Sequence, residues 1–164
     1  MASKDLRKLP EEERLTLAVQ GPTFIFDGVC NLCNTALRFV NDHVRPDADV
    51  KYMWTNHPDT LKVLEKYDVD EEDINKSWGY LKNGQLYRGS TAWLMGLREL
   101  CAPWCWGYYL IYVPEAIREF VYNLVAKNRY SWFGRSDQCR VVEKSMLHRF
   151  LHSTAMPSKD TKVE

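Results

Sequence analysis

Cys30 and Cys33, with two residues between them, stand where a short β-branched and aromatic run gives way to helical spacing. Thr23-Phe24-Ile25-Phe26, closed by Asp27-Gly28, reads as a buried strand and a turn. From Asn31 onward, Leu32, Ala36, Leu37, Val40 and Val44 fall close to the spacing of one helical face. The cysteines therefore belong to the first turn of a helix, where residues three apart share a face and their sulfurs can bond. A helix N-terminus carries unpaired N–H groups and about half a positive charge, both of which favour a thiolate. That lowers the pKa of the first cysteine, and only the thiolate attacks a disulfide. On this reading Cys30 is the nucleophile. Cys33, one turn deeper, is the resolving thiol that releases the substrate by closing the internal disulfide. The dithiol itself carries the two electrons, so the chemistry needs no bound cofactor.

The rest of the chain supplies a frame for that junction. Val50–Thr55 returns to strand character, and His57-Pro58-Asp59-Thr60 opens a second helix through Lys66, with Pro58 acceptable in its first turn. Trp78–Lys82 and Gln85–Arg88 flank Asn83-Gly84, the strongest short hairpin signal. Ser90 is placed to cap a helix over Thr91–Leu100. Pro114 starts another helix, with Ile117, Phe120, Val121, Leu124 and Val125 on one face. The expected fold class is α/β and thioredoxin-like. A small mixed sheet, made of a βαβ unit and an antiparallel hairpin, is flanked by helices and followed by extra C-terminal helices. Residues 1–21, charged and punctuated by proline, read as an extension, residues 22–152 as the domain, and residues 153–164 as a disordered tail.

Composition closes off several function classes. With 22 basic and 22 acidic side chains in 164 residues, no electrostatic footprint points to nucleic acid. No apolar run reaches the roughly 20 residues of a membrane span. Five cysteines are odd in number and too few for a disulfide scaffold. The N-terminus has neither the apolar stretch of a secretory signal nor the acid-poor composition of a transit peptide. Cytoplasm is the default expectation, and a processed organellar chain without its leader would read the same. The implied partners are a thiol- or disulfide-bearing protein or small molecule and an electron donor that the sequence does not identify.

Asp27, Cys30 and Cys33 form the signature for which the DCC family of predicted thiol-disulfide oxidoreductases is named, and the chain resembles that family from Phe24 to about Arg140. Asn83-Gly84, Ser90 and the block Ala126-Lys127-Asn128-Arg129-Tyr130-Ser131-Trp132-Phe133-Gly134-Arg135 before Cys139 fit it as well. The resemblance implies a thioredoxin-like fold and a protein-disulfide reductase activity. The chain departs from the wider thioredoxin pattern in having no proline between Pro58 and Pro103, so Ser77-Trp78 takes the place of the usual cis-proline.

Each remaining candidate carries two readings. Asp27 could accept a proton from Cys33 during resolution, or serve as a turn residue bonding nearby backbone N–H groups. Phe-Asp-Gly-Val is also close to a haloacid-dehalogenase motif, but Ile25 stands where that motif needs its nucleophilic aspartate. Cys139 is a third redox thiol or a spare one. Cys101 and Cys105, in an aromatic stretch running to Val113, read as core or interface cysteines, with core packing expected for the stretch. His43, His57, His148 and His152 read as surface or packing residues. An alternative from another class is a metal- or partner-binding module of the same fold without redox turnover. Cys30, Cys33, Cys139 and a histidine are conceivable zinc ligands for it.

Overall fold

The computed structural model describes residues 6–135 and 146–152. β1 (Thr23–Phe26) leads into α2 (Asn31–His43), following α1 (Glu11–Gln20). β2 (Lys51–Trp54), α3 (Pro58–Glu65) and α4 (Glu71–Asn75) come next. The hairpin β3 (Gly79–Lys82) and β4 (Gln85–Arg88) leads directly into α5 (Gly89–Leu97). A 3-10 stretch over Trp104–Tyr112 precedes the long α6 (Glu115–Phe133). The strands form one sheet in the order β2-β1-β3-β4. β1 runs parallel to β2 and antiparallel to β3, and β3 is antiparallel to β4. This is a thioredoxin-like sheet. The parallel pair needs a crossover, which α2 provides.

The central strands are buried on both faces, and their side chains alternate between two cores. Phe24, Phe26, Tyr52, Trp54 and Tyr80 face Leu37 and Val40 of α2 and Ala92 of α5, and both cysteines belong to this layer. Ile25, Met53 and Leu81 face the other way, onto Ala18 of α1 and Val63 and Leu64 of α3. Close approach is required where α5 crosses β1, because a Cβ on Gly96 would lie 2.3 Å from the Phe24 ring. Asn83 and Gly84 both have positive φ, as a two-residue hairpin turn of matching twist demands.

Several elements differ from what the sequence suggests. Residues 11–20, inside the stretch read as an extension, form α1, which buries Ala18 and Arg14. Its C-terminal end accepts hydrogen bonds from the Asn83 and Gly84 N–H groups at 3.2 and 2.8 Å. Ser90 does not cap α5. The cap position is Arg88, the helix ends at Leu97, and the Ser90 hydroxyl donates instead to Glu119 at 2.5 Å. The aromatic stretch after Cys101 is not core: Trp106, Tyr109 and Leu110 are exposed, and Tyr112 is 81% exposed. Likewise Ile117, Phe120, Val121 and Leu124 of α6 face outward, Phe120 at 71%. α6 lies over α2 and α5 with a cavity between them, so Ile117, Val121 and Val125 border that space rather than a packed layer, while Phe120 and Leu124 lie outside it and are exposed. No helix among the described residues is long and apolar enough to cross a membrane.

The segment around residue 150 is anchored. Phe150 bridges Tyr52, the Leu151 N–H donates to Tyr52 O at 3.3 Å, and the Trp54 N–H donates to His152 Nε2 at 2.7 Å. The rings of His152 and His57 stack with centroids 3.8 Å apart, beside the buried Arg14–Asp59 ion pair of 2.7 Å. Burial holds the His152 pKa well below its ordinary 6.5, with repulsion from His57 and Arg14 adding to it, and burial lowers His57 as well. An unfolded chain takes up these protons as pH falls through about 6.5, whereas the folded chain takes them up only at lower pH. The stability they confer is therefore full above that value and is lost progressively below it, at about 1.4 kcal/mol for each pH unit separating folded and unfolded pKa. Urea denaturation should show stability falling by roughly 1–2 kcal/mol from pH 7 to pH 5. His152→Gln should flatten that slope, and an unchanged slope would remove the histidine pair as its cause.

Candidate active site

Cys30 is the N-cap of α2, in extended conformation, and its Sγ accepts the Cys33 N–H at 3.4 Å. The strand-turn-helix order sets this geometry. β1 ends at Phe26, Asp27 Oδ1 accepts the Val29 N–H at 3.0 Å to close the turn, and Asn34 Nδ2 donates to Gly28 O at 3.1 Å. Both sulfurs are enclosed, Cys30 at 0% and Cys33 at 2% exposure. The backbone of Cys30 bridges that of Arg135 just beyond α6, and Asn31 Nδ2 donates to Phe133 O at 2.9 Å.

The two thiols are driven in opposite directions. A hydrogen bond from the Cys33 thiol is the main cause that lowers Cys30 to about 6, helped by the Cys33 backbone N–H and the Arg129 charge. Burial and the Asp27 charge oppose that shift. Cys33 is pushed far up by the same hydrogen bond, by burial and by the Cys30 charge, although Trp78 and Arg129 pull the other way. The pair therefore holds a thiolate at Cys30 and a proton at Cys33.

Four residues, Trp78, Tyr122, Arg129 and Tyr130, complete the site. Trp78 Nε1 donates to Cys33 Sγ at 3.2 Å, and the Trp78 backbone N–H donates to the Tyr122 hydroxyl at 2.8 Å. The position opposite the cysteines that a proline would usually fill thus holds an indole donor. Arg129, buried on α6, donates to Asp27 Oδ2 at 3.3 Å and to Lys76 O at 3.2 Å. The Tyr130 hydroxyl donates to the same Asp27 oxygen and accepts from Arg129 Nη2 at 2.8 Å. Of the sequence candidates, Asp27, Cys30 and Cys33 come together here, and Asp27 takes the backbone-bonding turn role alongside its ion pair. Cys101 and Cys105 lie elsewhere, partly buried, and Cys139 falls outside the described residues. Tyr122 carries no local sequence signal, and Trp78 is marked only by its place before the hairpin. Arg129 and Tyr130 are marked by the Ala126–Arg135 block.

The zinc set of Cys30, Cys33, Cys139 and a histidine includes Cys139, which lies outside the described residues. Among the described residues, the one cluster of possible metal ligands is His57, Asp59 and His152, away from the cysteine pair. Asp59 there is already bound to Arg14, and His152 Nε2 accepts the Trp54 N–H, which leaves the other ring nitrogen as the protonated one.

A family model for DCC1-like thiol-disulfide oxidoreductases matches residues 24–135, the stretch that holds the whole arrangement. The chain belongs to the DCC1-like thiol-disulfide oxidoreductase family. It is 37% identical over 128 residues to "Uncharacterized protein YuxK" of Bacillus subtilis, covering 77% of this chain and 91% of that one. It is 35% identical over 121 residues to the "DCC family protein At1g52590, chloroplastic" of Arabidopsis thaliana, covering 73% and 69%. No solved structure gives a significant match. Within the DCC1-like frame, the buried Asp27–Arg129 pair joins the strand end to the helix that closes the matched region.

Opposite charges beside one thiolate give opposite shifts. Arg129→Gln should raise the Cys30 midpoint, read from thiolate absorbance against pH, by roughly half to one pH unit. Asp27→Asn should lower it by a similar amount, and movement of both variants in the same direction would contradict the geometry. Each variant also breaks a buried ion pair, at a cost to stability of about 3–5 kcal/mol.

Proposed function

We propose that this DCC1-like protein is a thiol-disulfide oxidoreductase of the protein-disulfide reductase type, working through Cys30 and Cys33. The observation that carries the reading is the asymmetry of the two sulfurs at one helix N-terminus. One is held as a thiolate near neutral pH, and the other is held as its protonated neighbour. Cys30 attacks one sulfur of the substrate disulfide. The new Cys30–substrate bond forms as the substrate bond breaks, and the electron pair leaves on the other substrate sulfur. Cys33 then loses its proton and attacks Cys30, closing the internal disulfide and freeing the second substrate thiol. The net change is two electrons delivered to the substrate, with one proton from Cys33 and one from solvent.

In this reading Arg129 supplies positive charge to the thiolate and Trp78 orients Cys33. Asp27 holds Arg129 and the turn; the hydrogen bonds it already accepts support that role over a proton relay from Cys33. A protein substrate reaches Cys30 once the Gly134–Arg135 segment bridged to it moves aside. The electron donor is a thiol-bearing species. The working compartment is the cytoplasm or, as the printed name of the Arabidopsis relative suggests for that protein, a plastid.

Mild oxidation should give a Cys30–Cys33 disulfide on mass mapping, and alkylation near pH 7 should modify Cys30 first. Cys33→Ser should accumulate mixed disulfides with a reporter such as insulin, whereas Cys30→Ser should trap none. Equal trapping by both variants, or faster alkylation of Cys33, would reverse the assigned roles. Stoichiometric zinc protecting both thiols would replace redox turnover with metal binding.

A further inference from the structure

One wall of the site opens into a cavity of about 540 Å³ between α2, α5 and α6. Its lining is almost wholly apolar, with Leu32 and Ala36 from α2, Trp93 from α5, and Val121 and Val125 from α6. Cys33 forms part of this wall and Cys30 does not. The polar groups at the cavity are largely engaged within the protein: Trp78 Nε1 with Cys33, Ser90 with Glu119, and Arg129 with Asp27. An extended peptide backbone here would lack partners for its N–H and C=O groups, at a cost of a few kcal/mol each. A compact apolar molecule would lose nothing, and the volume suits one. The charges also select. Among the described residues Arg118 and Arg129 line the cavity and no acidic residue does, the Glu119 carboxylate holding the Ser90 hydroxyl from outside the lining. Arg118 donates to Val113 O, Ser90 Oγ and Thr91 Oγ1, and it has no ion-pair partner among the described residues.

We infer that this cavity admits the electron donor to Cys33, and that the donor is a low-molecular-weight dithiol with an apolar body and an anionic end placed near Arg118. The inference rests on the reading that Cys30 and Cys33 exchange disulfides. Protein substrates are met by Cys30, and the oxidised pair is then reduced from the opposite side. One donor thiolate attacks Cys33 Sγ from the cavity. The donor–Cys33 bond forms, the Cys30–Cys33 bond breaks, and the electron pair leaves on Cys30. The donor's second thiol, on losing its proton, attacks its own bound sulfur and closes a cyclic disulfide. The electron pair leaves on Cys33, which takes up a proton. Two electrons pass from donor to protein, and the donor departs as its disulfide. A low-pKa thiol leaves faster, and attack follows access, so both factors direct the donor to Cys33.

The test uses the full-length protein, oxidised at Cys30–Cys33, and follows its reduction by dihydrolipoate, dihydrolipoamide and dithiothreitol. Each rate is divided by that donor's rate with a small disulfide in solution. Dihydrolipoate should exceed dithiothreitol at least tenfold, with the neutral dihydrolipoamide in between. Val121→Trp, at an exposed site on the cavity wall, should lower the dihydrolipoate-to-dithiothreitol ratio at least fivefold, and Ile117→Glu, also exposed, should do the same. Arg118→Met should bring dihydrolipoate down to dihydrolipoamide. A ratio near one in the wild type, or ratios untouched by both wall variants, would overturn the cavity as donor site. Equal wild-type rates for the acid and the amide would overturn the anionic end. Failure of all three donors to reduce the pair, or failure of the pair to form, would instead overturn the disulfide-exchange reading itself.

Discussion

The ion pair between Asp27 and Arg129 ties together parts of the chain 102 residues apart, and the site depends on it. It joins the end of β1, where the turn into the cysteine helix begins, to a helix with little else to hold it. Among the described residues Arg129 is the one buried position of α6. Most of its other attachments are polar too, among them Tyr122 to the Trp78 backbone, Glu119 to Ser90, and Arg118 to Ser90 and Thr91, while Tyr130 packs against the core. A buried ion pair is often no more stabilising than apolar packing of the same volume. What it provides here is register. It fixes α6 relative to the thiols while leaving the apolar face of the helix free to border a cavity.

That arrangement gives the two sulfurs different surroundings although they sit one helical turn apart. Cys30 faces the strand-turn junction, receives the Cys33 N–H and lies under the segment that follows α6. Cys33 faces the indole of Trp78 and the apolar wall. Charge and access are therefore separated. The more acidic sulfur is the one without a wall on the cavity, and the sulfur that keeps its proton is the one beside it. A thioredoxin-like helix start alone would favour a thiolate. The hydrogen bond between the two sulfurs and the burial of Cys33 separate their charge, and α6 adds the cavity that only Cys33 meets.

Much of the frame was legible from residue patterns. The β1–α2 junction, the Asn83-Gly84 hairpin and the His57-Pro58 helix start depend on local chemistry, and each lies where its sequence signals place it. What escaped was set by tertiary contact. Ile117, Val121 and Val125 repeat with helical period and so read as a core face, because periodicity marks an apolar stripe without saying what it meets. Arg129 lies on the same helix and looks like one more solvated charge until Asp27 is brought to it. Trp78 looks like the first residue of a strand, and only the sheet order places its indole against Cys33. The Ser90 cap failed for a related reason, since Glu119 on α6 takes the hydroxyl that would otherwise serve the helix start.

The pairing of Phe150 and Leu151 with Tyr52 has a consequence for behaviour in crowded solution. β2 lies at one border of the sheet, and its outer backbone groups would otherwise offer a template to any extended chain. The short return segment occupies those groups, and His152 accepts the Trp54 N–H at the end of the row. On the opposite border, β4 is only four residues long and carries Arg88 at its end. One margin is covered by the chain's own later residues and the other is kept short and charged. A chain that exposes this much aromatic surface thereby denies its neighbours the main-chain ladder that ordered aggregation requires.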